Sequence, residues 1–217
     1  MDEASWDGTA GEVIDATGNG NNGTSVNGAN TSATAVFGRA GSFVSASSQY
    51  VDMGNDNDGI LSATGDWTIS AWINANVVGG DKTIFAQYVA VAGNGRMVFR
   101  LSGDELSLFL GDSTPLGNLT PTTSGVDIQT GIWYQVVAIR NGNTYKLFVN
   151  GVIKNTTAEG GIRNILQEGN LIGGRTLSGT DYKISTGADF FNGLIDDIRI
   201  YDYALTANQV RQIYNET

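Results

Sequence analysis

Two Asn-Gly turns in the middle of the chain separate three apolar segments. The segments run over 133–140, 144–149 and 152–156, and the turns are Asn141-Gly142-Asn143 and Asn150-Gly151. Asn-Gly between apolar runs is the strongest short-range signal for a β-hairpin, because both residues adopt positive φ readily. The sequence therefore predicts a three-stranded antiparallel meander. Its apolar residues on both faces place it in the middle of a sheet.

Several other segments alternate between apolar and polar residues with period two, which is the pattern of a strand buried on one face. The clearest are 67–75, 96–102 and 105–111, and the segment 82–89 is a further strand. Thirty glycines and only two prolines fit the many tight turns of such a fold. A count of about a dozen strands predicts an all-β, two-sheet antiparallel jelly-roll sandwich. We expect residues 1–217 to form a single domain.

The last predicted strand carries a carboxylate on an apolar row. Leu194, Asp196, Ile198 and Ile200 alternate with the remaining residues, so we expect all four side chains to face the core. A buried carboxylate needs a partner, and the chain contains no histidine to supply one. The alternatives are an arginine, a set of backbone donors, or a cation.

The strand is followed by a short C-terminal helix. Thr206 and Gln209 have the spacing of a capping box, in which each side chain accepts a hydrogen bond from a free backbone N–H group of the first turn. Val210, Ile213 and Tyr214 form one apolar stripe. We expect this stripe to pack on the sandwich and close the domain.

Five segments taken together resemble the laminin-G-like, concanavalin A-like lectin/glucanase jelly-roll domains. The resemblance covers most of the chain in the family's order, and it implies the same sandwich fold. It does not specify an activity, since this fold carries many unrelated ones. The matching segments are 15–24, 48–54, 66–73, 131–154 and 191–215.

The N-terminal loop is rich in oxygen ligands and glycine. Asp15, Asn19 and Asn22 lie within eight residues of sequence, and the intervening glycines allow the loop to wrap tightly. One interpretation is a Ca²⁺ loop that docks against Asp196, which the family resemblance favours; the other is a plain Asn-Gly turn. The segment 55–59 fails the register of an EF-hand, so we interpret it as a solvated acidic turn.

A second set of residues fits carbohydrate recognition, which requires planar donors and acceptors beside an aromatic face. The alternative for each residue is an ordinary solvent-facing role, such as an arginine that neutralises a nearby carboxylate. The candidates are Gln87, Arg96, Arg100, Phe109, Arg175 and Tyr182. We expect Arg96, Arg100 and Phe109 on outward faces of neighbouring strands. Arg175 and Tyr182 flank a late loop.

Catalysis finds little support in the sequence. Without histidine there is no Ser-His-Asp triad and no His-based zinc site. The Glu-x-Asp-x-x-Glu run of jelly-roll glycosidases is absent, and the adjacent Asp196 and Asp197 point to opposite faces of a strand. We therefore expect a non-catalytic, calcium-stabilised carbohydrate-binding or adhesion module. A polysaccharide-cleaving enzyme and a ligand-free spacer are the alternatives.

The charge of the chain limits its partners. A net charge of −10 and an isoelectric point near 4.3 argue against a basic surface for nucleic acid, and no apolar run is long enough for membrane insertion. The chain has no cysteine. We expect an extracellular or cell-surface module, monomeric and part of a longer bacterial chain, whose partner is a glycan or cell-surface carbohydrate.

Overall fold

The structure, a computed structural model, describes residues 1–54, 61, 64–88, 96–111, 118–161, 169–175 and 189–216. Within these ranges there are thirteen strands and one α-helix, together with a single 3-10 turn at Ser45–Ser47. The elements are β1 (Thr24–Val26), β2 (Asn30–Ser32), β3 (Ala40–Phe43), β4 (Tyr50–Asp52), β5 (Trp67–Ala75), β6 (Asp81–Tyr88), β7 (Arg96–Ser102), β8 (Glu105–Gly111), β9 (Trp133–Asn141), β10 (Thr144–Val149), β11 (Val152–Ala158), β12 (Gly169–Ile172), β13 (Gly193–Tyr201) and α1 (Ala207–Tyr214).

The strands form two antiparallel sheets, which confirms the predicted sandwich. One sheet has six strands in the order β1-β4-β12-β6-β7-β8, and the other has seven in the order β11-β10-β9-β5-β13-β3-β2. Every strand pairing is antiparallel. No helix of the described ranges is long and apolar enough to span a membrane.

The main core lies between the sheets and follows the predicted alternation. Met97 and Phe99 of β7 pack inward with Leu108 and Leu110 of β8, and all four are fully buried. Trp67 of β5 joins them from the other sheet. Because the inward row of β7 is apolar, its other row is left facing outward.

The predicted meander is β9, β10 and β11. Asn150 and Gly151 both have positive φ, at 50° and 72°, as the Asn-Gly signal requires. β9 and β10 lie inside the sheet, but β11 is its edge strand and is largely exposed. The predicted mid-sheet position therefore holds for two strands and is wrong for the third.

A bulge in β13 changes the predicted face of Asp196. Asp196 lies opposite Trp72 of β5, whereas Arg199 lies opposite Ser70, so β13 holds one extra residue between them. Asp197 absorbs the bulge with a φ of 44°. Ile195 therefore faces the core before the bulge, and Ile198 and Ile200 contact it afterwards. The expectation that Asp196 shares their row is wrong, because an inserted residue reverses the alternation.

Helix α1 covers the outer face of the seven-stranded sheet. Thr206 accepts the backbone N–H of Gln209, and Gln209 Oε1 accepts the backbone N–H of Thr206, which confirms the capping box. Val210 is fully buried in a second apolar cluster that Ile213 also contacts. Tyr214 stacks on Trp72, with ring centroids 5.6 Å apart.

Candidate functional site

The N-terminal loop and the bulged part of β13 line one open cleft of about 520 Å³. Asp15 and Asn19 line it from the loop, and Asp196 and Asp197 line it from β13. Asn22 does not line the cleft. The structure thus brings together three of the four residues predicted to bind Ca²⁺.

The loop is closed by its own hydrogen bonds. Asp15 Oδ1 accepts the hydroxyl and backbone N–H of Thr17 at 2.6 and 2.9 Å, and Oδ2 accepts the N–H of Asn21 at 3.2 Å. The Thr17 hydroxyl is the main cause that lowers the pKa of Asp15. Asn22 Oδ1 accepts the backbone N–H of Asp15 at 2.8 Å. Asn22 therefore acts as an internal brace of the turn.

Backbone donors partner the buried carboxylate of Asp196. Its Oδ2 accepts the N–H groups of Val36 and Phe37, each at 2.8 Å, and its Oδ1 accepts the N–H of Asp197 at 2.7 Å. Burial raises the pKa of Asp196, against these hydrogen bonds. The residues that the structure describes contain no group of three or more Asp, Glu, His or Cys placed to hold a metal. A cation here would depend on main-chain and amide oxygens.

A different group of polar residues gathers on the outer face of the six-stranded sheet. Arg100 of β7 binds Asp81 of β6 through Nη1, and its guanidinium lies 5.5 Å from the ring centre of Phe109 on β8. Arg100 lies directly opposite Thr83 of β6 in the strand register. Antiparallel pairing therefore puts side chains from three neighbouring strands on one surface.

Two loop residues complete this surface. Arg175, after β12, donates from Nη2 to Asp189 at 2.8 Å and lies 3.9 Å from Asp81. Asp189, before β13, is held by its carbonyl oxygen, which accepts the backbone N–H of Thr83 at 3.0 Å. We call this set the outer-face cluster: Asp81, Thr83, Arg100, Phe109, Arg175 and Asp189.

The outer-face cluster has polar atoms without a partner. Thr83 Oγ1, Arg100 Nε and Arg175 Nε are buried, and no described residue hydrogen-bonds to them. The side chains of Arg100 and Arg175 are 11% and 15% exposed, so water reaches them only at one edge. Burial lowers the pKa of Arg100, and the charge of Asp81 opposes that shift. These three atoms are shielded from solvent, so a ligand at this surface would meet the exposed parts of the two arginines and of Phe109 rather than the unpartnered atoms themselves.

Gln87, a predicted ligand residue, does not lie on the outer face of the sheet. Gln87 lies opposite Met97, an inward residue of β7, and it is fully buried. The register of β6 and β7 shifts between Thr83 and Phe85, so an extra residue at Ile84 reverses the alternation. Gln87 thus faces the core, and the expectation that it joins the outward arginines is wrong.

The remaining predicted residues divide into those observed and those outside the described part. The structure brings together Arg100, Phe109 and Arg175, as the outward rows and the late loop indicated. The side chain of Arg96 and the whole of Tyr182 lie outside the described residues. Sequence patterns did not single out Asp81, Thr83 and Asp189. The alternation of β6 signals the first two, whereas nothing in the sequence signals Asp189.

Each of the two carboxylates of the outer-face cluster has an arginine partner. Asp81 pairs with Arg100, and Asp189 pairs with Arg175. The arrangement therefore offers fixed donors and acceptors.

Comparison with known proteins places this geometry in a family. The model of the concanavalin A-like lectin/glucanases superfamily matches residues 45–211. Comparison with curated protein sequences gives no match.

Several solved structures share the fold at low identity. Domain 4 of an extracellular GH43 arabinanase from Geobacillus stearothermophilus, in complex with arabinotriose, is 19% identical, with a TM-score of 0.64 over 89% of this chain and 81% of that chain. The CBM40 of the Ruminococcus gnavus IT-sialidase, bound to α2,3-sialyllactose, is 15% identical, with a TM-score of 0.59 over 70% and 84%. The ligand-binding domain of botulinum neurotoxin serotype D, in complex with N-acetylneuraminic acid, is 15% identical, with a TM-score of 0.68 over 98% and 50%. Identities this low show the fold alone.

Proposed function

The chain belongs to the concanavalin A-like lectin/glucanase superfamily, and from that membership we propose that it is a non-catalytic carbohydrate-binding module. The module binds a glycan or cell-surface carbohydrate on the outer face of its six-stranded sheet. It works outside the cell or at its surface, as a monomer. Structural neighbours that carry sugars in their binding domains support this proposal.

The observation that carries the proposal is the combination of donors, acceptors and an aromatic ring in the outer-face cluster. Arg100 and Arg175 are planar donors, and each lies beside a carboxylate that can accept a hydroxyl. Phe109 adds a half-buried aromatic surface next to Arg100. Sugar hydroxyls both accept and donate hydrogen bonds, and a sugar ring presents an apolar C–H face. The arginines, the carboxylates and the phenylalanine of the cluster therefore each have a counterpart on a sugar.

We expect Arg100→Ala to weaken glycan binding by about tenfold or more, since it removes donors in the centre of the proposed site. The variant should lose only about 1 kcal/mol of folding free energy, because Asp81 is partly exposed and keeps Arg175 as a second counter-ion 3.9 Å away. Isothermal titration calorimetry against glycans selected on an array measures the affinity, and thermal melting measures the stability. Arg100→Lys keeps the charge but not the planar fork, and it should also bind weakly.

A matched control removes a positive charge elsewhere. Lys154 is exposed on β11, the edge of the other sheet, so Lys154→Ala should bind like the parent. Equal affinity of the parent and Arg100→Ala would move the site away from the outer-face cluster. Steady release of reducing ends from a polysaccharide would favour the enzyme, and no binding to any glycan would favour a spacer.

We further propose that the cleft beside Asp196 takes Ca²⁺. Asp15, Asn19 and Asp196 line it together, and the chain carries a large excess of acidic groups. Their oxygens suit a hard cation, although Asp15 and Asp196 already accept backbone N–H groups. The ion would tie the first loop of the chain to its last strand.

Calcium removal should lower the melting temperature. An ion that binds only the folded chain stabilises it by about 2.7 kcal/mol at a hundredfold excess over Kd. In a domain of this size, losing that stabilisation lowers the melting temperature by about 5–10 °C. Melting in excess CaCl₂, in EDTA, and in EDTA followed by added CaCl₂ tests the prediction, and MgCl₂ serves as the control. A midpoint that is equal in CaCl₂ and EDTA would contradict the proposed ion.

A further inference from the structure

The charges of the outer-face cluster cancel. Two guanidinium groups, of Arg100 and Arg175, face two carboxylates, of Asp81 and Asp189. Asp81 lies close to both arginines, through Nη1 of Arg100 and at 3.9 Å from Nη2 of Arg175. Neither arginine is left as an uncompensated cation.

Further carboxylates share this face of the sheet. Ser102 of β7 lies opposite both Asp81 and Glu105, so Glu105 belongs to the same outward row. Asp52 lies opposite Leu171, which lies opposite Ala86 in the next outward row. Among the described side chains this face is therefore acidic in sum, on a chain whose net charge is −10. An anionic ligand would gain no net attraction at the site and would meet repulsion on its approach.

The paired arginines and carboxylates match hydroxyl groups better than a ligand carboxylate. A ligand carboxylate binds arginine best through two parallel N–H groups. Here Nη1 of Arg100 and Nη2 of Arg175 already serve Asp81 and Asp189. The remaining N–H groups of each arginine lie beside a protein carboxylate that already holds it. A hydroxyl accepts from the first and donates to the second, as a neighbouring pair of sugar hydroxyls would.

We propose that the outer-face cluster selects neutral glycans and discriminates against carboxylated ones. This inference rests on the proposed carbohydrate-binding function and names the chemical class of its ligand. The hydroxyl pairs of a neutral sugar bridge Arg100 and Asp81 or Arg175 and Asp189, while its C–H face packs on Phe109. A uronate or sialate would place a third carboxylate beside Asp81 and Asp189.

Matched glycan pairs test the inference. Suitable probes are lactose with α2,3-sialyllactose, galactotriose with trigalacturonic acid, and arabinotriose as a further neutral sugar, each titrated by calorimetry. For the pair that binds, we expect the neutral member to have a Kd at least about tenfold lower, with little change between low and high NaCl. A lower Kd for the carboxylated member, with strong salt dependence, would overturn the neutral class and leave carbohydrate binding intact.

Removing one carboxylate should shift the preference. In Asp81→Asn, Arg100 loses its counter-ion, so we expect weaker neutral binding and a ratio of carboxylated to neutral affinity raised by about tenfold. Asp202→Asn makes the same charge change at an exposed turn and should leave the ratio unaltered. An unaltered ratio in Asp81→Asn, with the fold intact by melting, would contradict the proposed charge balance. Absence of binding to every probe would overturn both this inference and the proposed function.

Discussion

A chain truncated after Leu205 should unfold at a temperature about 10 °C or more below that of the full chain. The truncation removes the buried Val210 and the contacts of Ile213 and Tyr214. Full burial of such side chains contributes about 1.5–3 kcal/mol each before the entropy of ordering the helix is subtracted. A net loss of about 3–6 kcal/mol corresponds to that shift for a domain of this size.

The contacts of the helix explain why it is not an appendage. It covers Val137 and Ile139 of β9 and Phe148 of β10, which would otherwise face water. Thr68 of β5 fixes the segment that leads into the helix. Its hydroxyl donates to the carbonyl of Tyr203 and accepts the N–H of Leu205, both at 2.9 Å. An eight-residue helix is marginal in water by itself, so its stability and that of the sheet face depend on each other.

Point variants test whether the packing of the helix, rather than its presence in the chain, provides the stability. Val210→Ala should cost about 2–4 kcal/mol, whereas Asn208→Ala, on the exposed side of the same helix, should cost little. Thr206→Ala removes the cap and should cost about 1 kcal/mol. Urea titration gives these values directly. A truncated chain that melts within a few degrees of the full chain would show that the helix does not close the domain.

Sequence patterns predicted those parts of the fold that depend on local regularity. The Asn-Gly turns, the alternation of β7 and β8, and the spacing of Thr206 and Gln209 each express a rule that acts within a few residues. The outward positions of Arg100 and Phe109 followed from the same rule. Errors arose where one inserted residue reversed the alternation, at Ile84 before Gln87 and at Asp197 after Asp196. A bulge is chosen by the fit of a strand to its neighbours, which no local pattern encodes.

Part of the outer-face cluster could not be predicted, for a related reason. Arg175 and Asp189 come from loops, and they meet Asp81 only because β12 and β6 are neighbours in the sheet. Sequence separation gives no signal for such a contact. The sequence singled out the arginines as planar donors, but the carboxylates that neutralise them became visible only in the folded arrangement.

Asp196→Ala should destabilise the chain by about 3–5 kcal/mol, and the loss should persist in EDTA. The carboxylate accepts three backbone N–H groups, from Val36, Phe37 and Asp197, and it is only 2% exposed. Removing the acceptor leaves these donors buried without partners, at about 1–3 kcal/mol for each fully dry group. The donors belong to the chain itself, so the cost does not depend on an ion.

Comparing two substitutions at this position distinguishes backbone bracing from calcium binding. Asp196→Asn keeps one acceptor oxygen but loses the charge, so it should retain part of the stability that Asp196→Ala loses. If Ca²⁺ also binds here, both variants should respond less to EDTA than the parent does, because a charged ligand is missing. Urea titrations of the parent and both variants, with CaCl₂ and with EDTA, give the six free energies required. If Asp196→Ala in EDTA is as stable as the parent in EDTA, the hydrogen bonds to Val36 and Phe37 contribute nothing, and the buried carboxylate must be present for the cation alone.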